Sequence, residues 1–270
     1  MVFFLAFLIM LIGSIFGVIG EFFQLPDYLK TSIFTLVIGF GASTLLCFLY
    51  VKKFEKRSIT SIGFTKDNAV KKYLFGFMIG ALFMSFCVLI ATLIGGFKIN
   101  TIETSNTGIK TLIPILCMLV GFIIQGGTEE VVARGWVLPV VGAKYNVPLG
   151  ILVSTIFFTL LHGMNPGMKL MPVINLSLFA IFAALYVIHS KNIWGICGFH
   201  SAWNWFQGNI FGIKVSGNRM AGGSLFSFDS VQGVDLISGG NFGVEGSFIC
   251  SLIYLIGIAY LSYQIIKNLK

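Results

Sequence analysis

Six polar side chains lie within stretches of the chain that are otherwise apolar. They are Glu129, Glu130, Arg134, His162, His200 and Asn204. A carboxylate in a low-dielectric pocket beside a histidine can hold a water molecule and take a proton from it. A second histidine and an amide can donate hydrogen bonds to the oxyanion of an acyl transfer reaction. These residue types therefore favour hydrolysis of an acyl bond by an activated water.

The spacing divides the six residues into a supporting pair and a reactive set. Glu130 and Arg134 are four residues apart with the carboxylate first, which is the favourable order for an ion pair on a helix. This pairing leaves Glu129 facing about 100° away from Glu130 and free for chemistry. His200 and Asn204 are also four residues apart and share one helix face. We assign Glu130 and Arg134 a structural role and the other residues a catalytic one.

The composition says where such a site must lie. Of the 270 residues, 56% are apolar and only 10% are charged, which is too little polar surface for a soluble globule of this size. The excess of 18 Lys and Arg over 10 Asp and Glu does not indicate a nucleic-acid partner. Seven of the basic residues fall within residues 52–72, as in a cytoplasmic loop. The lipid bilayer is therefore the expected partner.

The apolar runs predict an all-α, polytopic transmembrane bundle of about eight spans, with a polar site buried in the membrane. The runs cover about residues 2–19, 31–51, 73–97, 111–141, 148–161, 170–188, 193–213 and 247–266. Residues 1–270 form a single integral membrane domain with a motif-bearing core at about 111–213. The basic loop places both termini in the cytoplasm, and a bacterial cell membrane is the expected location.

Helix rise predicts that the polar residues meet at one depth. Glu129 lies 13 residues before the turn near Gly142, and His162 lies 14 residues after Pro148. At about 1.5 Å per residue, both rise about 20 Å from the same side, as does Asn204 counted from Lys191. We therefore expect one buried site.

The segment 214–246 is rich in Gly, Ser and Asn, and its length predicts a lid or lateral gate near that site.

At these residues the sequence resembles the CPBP (ABI) intramembrane protease family, which contains the type II CAAX prenyl endopeptidases. Three family motifs occur in order: Glu129-Glu130-x3-Arg134, Phe158-x3-His162 and His200-x3-Asn204. The resemblance covers about residues 127–204. The stretch 239–247, Gly-Gly-Asn-Phe-Gly-Val-Glu-Gly-Ser, also looks like bacterial members of the family.

The resemblance implies hydrolysis of a peptide bond inside the membrane, with a peptide or protein as the substrate. Glu129 would activate the water with help from His162, while His200 and Asn204 would bind the oxyanion. No cofactor is required by the pattern. Zinc stays open, because Glu129, His162 and His200 are ligand types that could hold it as in a metalloprotease, although no HExxH motif is present.

Two other function classes remain. The same fold could serve a non-enzymatic membrane protein, such as a bacteriocin-immunity or partner-stabilising factor, but a scaffold has no physical need for a buried base, two imidazoles and an amide. The buried ionisable groups could also relay protons in a transporter. The sequence has neither an inverted repeat nor paired Gly or Pro breaks, which disfavours that class.

Overall fold

A computed structural model describes residues 2–101 and 106–269, and part of the expected outer loop, 102–105, lies outside them, as do Met1 and Lys270. Eight long helices occur in this part of the chain, each close to one of the apolar runs. We label them α1 to α8: Val2–Gly20, Asp27–Lys53, Ala69–Leu93, Ile109–Lys144, Val147–Leu161, Leu170–Ser190, Trp194–Trp205 and Phe248–Leu269.

The expected eight spans are not confirmed. Five helices of the described residues, α2, α3, α4, α6 and α8, are long and apolar enough to cross a membrane. Helices α5 and α7 have 15 and 12 residues, so they rise only about 22 and 18 Å against a hydrocarbon core of about 30 Å. Helix α1 has 19 residues and is not among the five. An apolar run in the sequence identifies a helix without fixing whether it crosses.

The outer surface of the bundle is apolar, as expected of a protein solvated by lipid. Large side chains such as Leu45, Leu82 and Leu152 are more than half exposed on three different helices. Such a surface would be unstable in water and is the normal surface of an integral membrane protein.

Helix α7, which carries His200, packs directly on the backbone of α3. A methyl group added to Gly76 would overlap the backbone oxygen of Gly195, and one on Gly80 would overlap that of Phe199. Gly126 on α4 likewise lies against the backbone of Ser201. Small residues are common where membrane helices approach closely. These glycines therefore set the distance of α7 from its neighbours and fix the position of His200.

Two helices that carry polar residues of the site widen into π-helical turns. In α4 the turn covers Val131–Val137, directly after Glu130, and all seven of its residues are buried. After α7 a second π-helical turn covers Phe206–Ile210 and begins two residues beyond Asn204. Such turns are rare and often lie at functional sites. The apolar runs predicted these helices but did not indicate the π-helical turns.

The segment between α7 and α8 is folded, although it has little helix. Its strand Phe228–Ser230 (β2) pairs antiparallel with Phe97–Ile99 (β1), the strand that follows α3. A short helix, Asp235–Ser238, lies farther along the segment. The segment therefore has only short elements of secondary structure, and its expected role as a lid or lateral gate stays a prediction.

Candidate active site

Glu129 projects from α4 into the interior and is held by its own helix. Its Oε1 accepts a hydrogen bond of 2.6 Å from Nε2 of Gln125, one turn earlier. Its Oε2 is buried and has no hydrogen-bond partner among the described residues. Gln125 thus fixes the rotamer of the carboxylate while one oxygen remains free to bind a reactant.

His162 lies where α5 ends, and this helix end determines its tautomer. The backbone N–H of His162 donates to Thr159 O instead of the helical partner Phe158 O. Phe158 O therefore accepts from the ring, with Nδ1 at 2.9 Å. Because a carbonyl only accepts, Nδ1 carries the proton, and Nε2 of the neutral ring holds a lone pair.

His200 is fixed in the same way by a carboxylate on a different helix. Its Nδ1 lies 2.8 Å from Oε1 of Glu130, and that oxygen also accepts from Nη1 of Arg134 at 3.2 Å. Because Oε1 of Glu130 already accepts from the guanidinium, it acts as an acceptor for the N–H of the imidazole as well. Nε2 of neutral His200 then carries a lone pair, as Nε2 of His162 does.

The Nε2 atoms of both imidazoles lie near the unpartnered oxygen of Glu129. Oε2 of Glu129 lies 3.8 Å from Nε2 of His162 and 3.8 Å from Nε2 of His200. These distances are too long for direct hydrogen bonds. Three lone pairs at this spacing are mutually unfavourable unless a proton donor lies between them. A water molecule supplies two such protons, so the arrangement suits a bound water.

A zinc ion is the other occupant to consider. The donor types suit zinc, and each imidazole has a second partner that fixes its tautomer. The distances between the donor atoms do not suit zinc. Tetrahedral ligand atoms about 2.0–2.2 Å from one ion lie about 3.4 Å apart, and both measured pairs are wider. No group of three His, Cys, Asp or Glu in the described residues is arranged to hold a metal ion.

Glu130 and Arg134 form the buried support that their spacing indicated. Both side chains are completely buried. The guanidinium of Arg134 lies over the ring of Phe158, 4.3 Å from its centroid, and 5.3 Å from that of Phe179. The two aromatic faces compensate the cation where water is excluded. The phenylalanine of the Phe158-x3-His162 motif therefore serves both the arginine and, through its carbonyl, the histidine.

Asn204 joins the site through a residue that sequence reasoning missed. Its Nδ2 donates to Oε1 of Gln125 at 2.9 Å, and Gln125 in turn donates to Glu129. The amide pair therefore links α7 to the carboxylate on α4. Gln125 precedes Glu129 by four residues, the spacing already used for Glu130 and Arg134, and that signal could have identified it.

The site lies on the wall of a cavity of about 350 Å³. Apolar side chains from the helices line one side, among them Phe7, Leu36 and Phe122. The segment between α7 and α8 supplies another part of the wall, including Val215, Ser216, Asn218, Met220 and Glu245. A mostly apolar cavity with a few convergent polar groups is typical of a binding site.

Glu245 is the second residue of this cavity that sequence reasoning left without a role, although the stretch 239–247 was noted. It is 9% exposed, and its Oε2 accepts from the backbone N–H of Ser216 at 2.5 Å, from Ser216 Oγ at 3.1 Å and from Gln207 Nε2 at 3.2 Å. Asn175 on α6 donates to its backbone oxygen at 2.6 Å. Burial raises the pKa of the Glu245 carboxyl above its ordinary value.

Comparison with known proteins finds a family match over the segment that carries the residues selected from the sequence. The sequence model described as "Type II CAAX prenyl endopeptidase Rce1-like" matches residues 111–206. We call residues 111–206, which are similar to that family, the Rce1-like segment. The Rce1-like match covers all three motifs and confirms the resemblance found from them. No curated protein and no solved structure matches the chain.

The Rce1-like segment and the apolar helices together support an integral membrane protein and an intramembrane protease of the CAAX type. A protein or peptide at the membrane is the corresponding substrate class. The segment spans α4 to α7 and therefore holds Gln125 as well as the six residues selected from the sequence. Glu245 lies outside it and reaches the same cavity from the far end of the chain.

Proposed function

We propose that this protein is an endopeptidase that hydrolyses a peptide bond in the membrane with a water activated by Glu129 and His162. The observation that carries the proposal is the convergence of Glu129 Oε2 and the two imidazole Nε2 atoms, with 3.8 Å between the carboxylate oxygen and each nitrogen. A water between them donates to Glu129 and to one imidazole, so that its oxygen lone pair is directed at the substrate.

In the first step Glu129 Oε2 takes a proton from the water, and the oxygen attacks the carbonyl carbon of the scissile bond. The carbonyl becomes an oxyanion. In the second step the oxyanion collapses, the C–N bond breaks and the proton held by Glu129 passes to the leaving amine. His162 orients the water throughout, because its ring is fixed by Phe158 O.

The oxyanion is stabilised by His200 and Asn204. Asn204 uses one N–H on Gln125 and has a second available. His200 donates at Nε2 only after that atom has taken a proton from solvent before the attack, and this proton is separate from the one that passes through Glu129 to the amine. Removing one such donor from an oxyanion site costs about 100-fold to 1000-fold in kcat.

The competing functions leave parts of this arrangement unexplained. A bacteriocin-immunity or partner-stabilising factor would need Glu130 and Arg134 for its fold, but it has no use for an unpartnered oxygen on Glu129. A proton relay would need a continuous chain of titratable groups across the bundle. On the side of Gln125 and Asn204, the hydrogen-bonded groups that lead away from Glu129 are amides, which do not titrate.

The test compares the purified full chain with its Glu129→Gln variant in detergent. Both are incubated with a peptide library that includes C-terminal CAAX peptides with and without a prenyl group, and products are read by mass spectrometry. We expect cleavage by the native protein and none by the variant. Glu21→Gln is the matched control, since the Glu21 side chain is 71% exposed near the end of α1, and it should cleave normally.

Metal content measured on the same samples decides between the two sources of activated water. Activity with no bound metal, unchanged by a chelator, supports Glu129 as the base acting directly. Stoichiometric zinc that is lost on chelation together with activity contradicts the direct mechanism and makes His162 and His200 ligands. Cleavage by the Glu129→Gln variant would remove the proposal in either form.

A further inference from the structure

A second cavity, of about 1130 Å³, lies outside the active site between the start of α3 and the end of α6. We call it the basic groove. One end is polar and is lined by Lys66, Lys71, Lys72 and Asn192. The remainder is lined by the apolar side chains of Leu74, Phe75 and Met78. None of these residues takes part in the proposed peptidase chemistry.

The groove changes from cationic to apolar along one helix. From Lys71 to Met78 the chain rises about 10 Å along α3. Leu74 is 58% exposed, Phe75 is 54% exposed and Met78 is 50% exposed, so the apolar part opens to the lipid side of the protein. A glycerophospholipid has the same order, with a charged head group above its acyl chains, and the groove matches about the upper half of a lipid that spans about 20 Å in one leaflet.

The charge at the polar end is available to a ligand. Neither Lys66 nor Lys71 has an ion-pair partner among the residues that the structure describes, whereas Lys72 lies 3.2 Å from Asp67. The start of α3 adds to this field, because Asn68 makes no side-chain cap and leaves the first N–H groups of a 25-residue helix uncapped. Both features favour an anionic group at this end.

Asn192 closes the polar end of the groove at the end of α6. It lines the groove and is only 3% exposed. Its Nδ2 donates to Ser190 O at 2.8 Å. Asn192 is therefore a fixed part of the wall, and the charge that a ligand meets comes from the lysines.

We propose that the basic groove binds one anionic phospholipid, with its phosphate at Lys66 and Lys71 and an acyl chain along Leu74, Phe75 and Met78. Phosphatidylglycerol has this chemistry, and phosphatidylcholine lacks the net charge. The lipid would tie the start of α3 to the end of α6. This site is separate from the proposed peptidase activity and does not depend on it.

Native mass spectrometry of the full chain in detergent tests the proposal with phosphatidylglycerol and phosphatidylcholine as probes. We expect one phosphatidylglycerol to bind on the order of 10-fold more tightly than phosphatidylcholine. The double variant Lys66→Gln/Lys71→Gln should lose that preference. Its melting temperature without added lipid should not change, because both lysines are exposed.

The matched control is Lys52→Gln/Lys53→Gln, which removes the same charge from the end of α2. These lysines belong to the same basic stretch but do not line the groove. The control should keep the full preference for phosphatidylglycerol. Equal loss in both double variants would mean a diffuse charge effect and would overturn the site, as would equal binding of the two lipids by the native protein.

Discussion

His200 and Arg134 reach the same oxygen of Glu130, at 2.8 Å and 3.2 Å. The three residues come from two helices, since Glu130 and Arg134 lie on α4 and its π-helical turn while His200 lies on α7. One carboxylate oxygen therefore neutralises the buried cation and also sets the tautomer of a site histidine. Stability and site geometry are coupled at this atom.

Arg134→Met should strongly destabilise the protein, because it leaves the completely buried carboxylate of Glu130 without its cation. Breaking a buried pair from one side costs about 3–5 kcal/mol. Thermal unfolding in detergent measures the loss. The double variant Arg134→Met/Glu130→Gln removes the stranded charge and should recover part of it, and a double variant no more stable than the single one would contradict this account.

Gln125→Ala should lower kcat with little change in KM, since Gln125 orients Glu129 and has no contact with the substrate in the proposed mechanism. A misplaced catalytic group can cost up to about 100-fold. Steady-state kinetics on any peptide that the native protein cleaves would measure it. Gln264→Ala on α8, outside the cavity, is the control and should retain native kinetics.

Glu245→Ala should loosen the segment that covers the cavity. The substitution removes the acceptor for two donors of Ser216 and one of Gln207, and hydrogen bonds to a charged group each contribute about 1.5–3 kcal/mol. Hydrogen exchange should become at least about 10-fold faster around residues 214–218. Asp235 lies in the same segment and makes an exposed ion pair with Lys169. Asp235→Ala should therefore change the exchange rates little.

The docking of this segment should also depend on pH. Burial raises the pKa of Glu245 in the folded state, so the fold binds the proton more tightly than the unfolded segment does. The resulting stabilisation is complete below the unfolded pKa and is lost as the pH rises through the folded value. Opening rates, corrected for intrinsic exchange, should fall as the pH is lowered from 7 towards 4. The Glu245→Gln variant should show no such trend.

Gly76→Ala should be among the most damaging small substitutions in the protein. The added methyl group would overlap the backbone oxygen of Gly195 and force α3 away from α7. Backbone atoms cannot repack as side chains do, so the cost should exceed the roughly 1–3 kcal/mol of ordinary overpacking. Gly127→Ala is the matched control, since a Cβ there meets nothing within 4 Å, and its melting temperature should be unchanged or higher.

Much of the site was predictable from periodicity. Glu129, His162 and Asn204 were placed together because each interrupts an apolar run 13 or 14 residues from a turn, and His200 lies one helical turn before Asn204. The ion pair of Glu130 and Arg134 followed from i, i+4 spacing and lies as expected, 3.2 Å apart. These features are local to a helix, and helix geometry is regular enough to extrapolate over four turns.

Other features could not be predicted because they depend on contacts between distant segments. Glu245 reaches the cavity only because Ser216 and Gln207 bind its carboxylate, and sequence spacing carries no information about that. The eight expected spans are not confirmed, because an apolar run does not by itself show that a helix crosses, and α5 and α7 have only 15 and 12 residues. Gln125 could have been predicted, since it lies four residues before Glu129, the same spacing that identified the pair of Glu130 and Arg134.

The end of α5 has a consequence for how His162 can change. Its imidazole is oriented by Phe158 O, an atom of the main chain. Every amino acid has a backbone carbonyl, so no side-chain replacement at position 158 removes this contact directly. The backbone at the end of α5 therefore sets the orientation of His162. Only a substitution that moves this backbone, such as proline near the last turn, can change it.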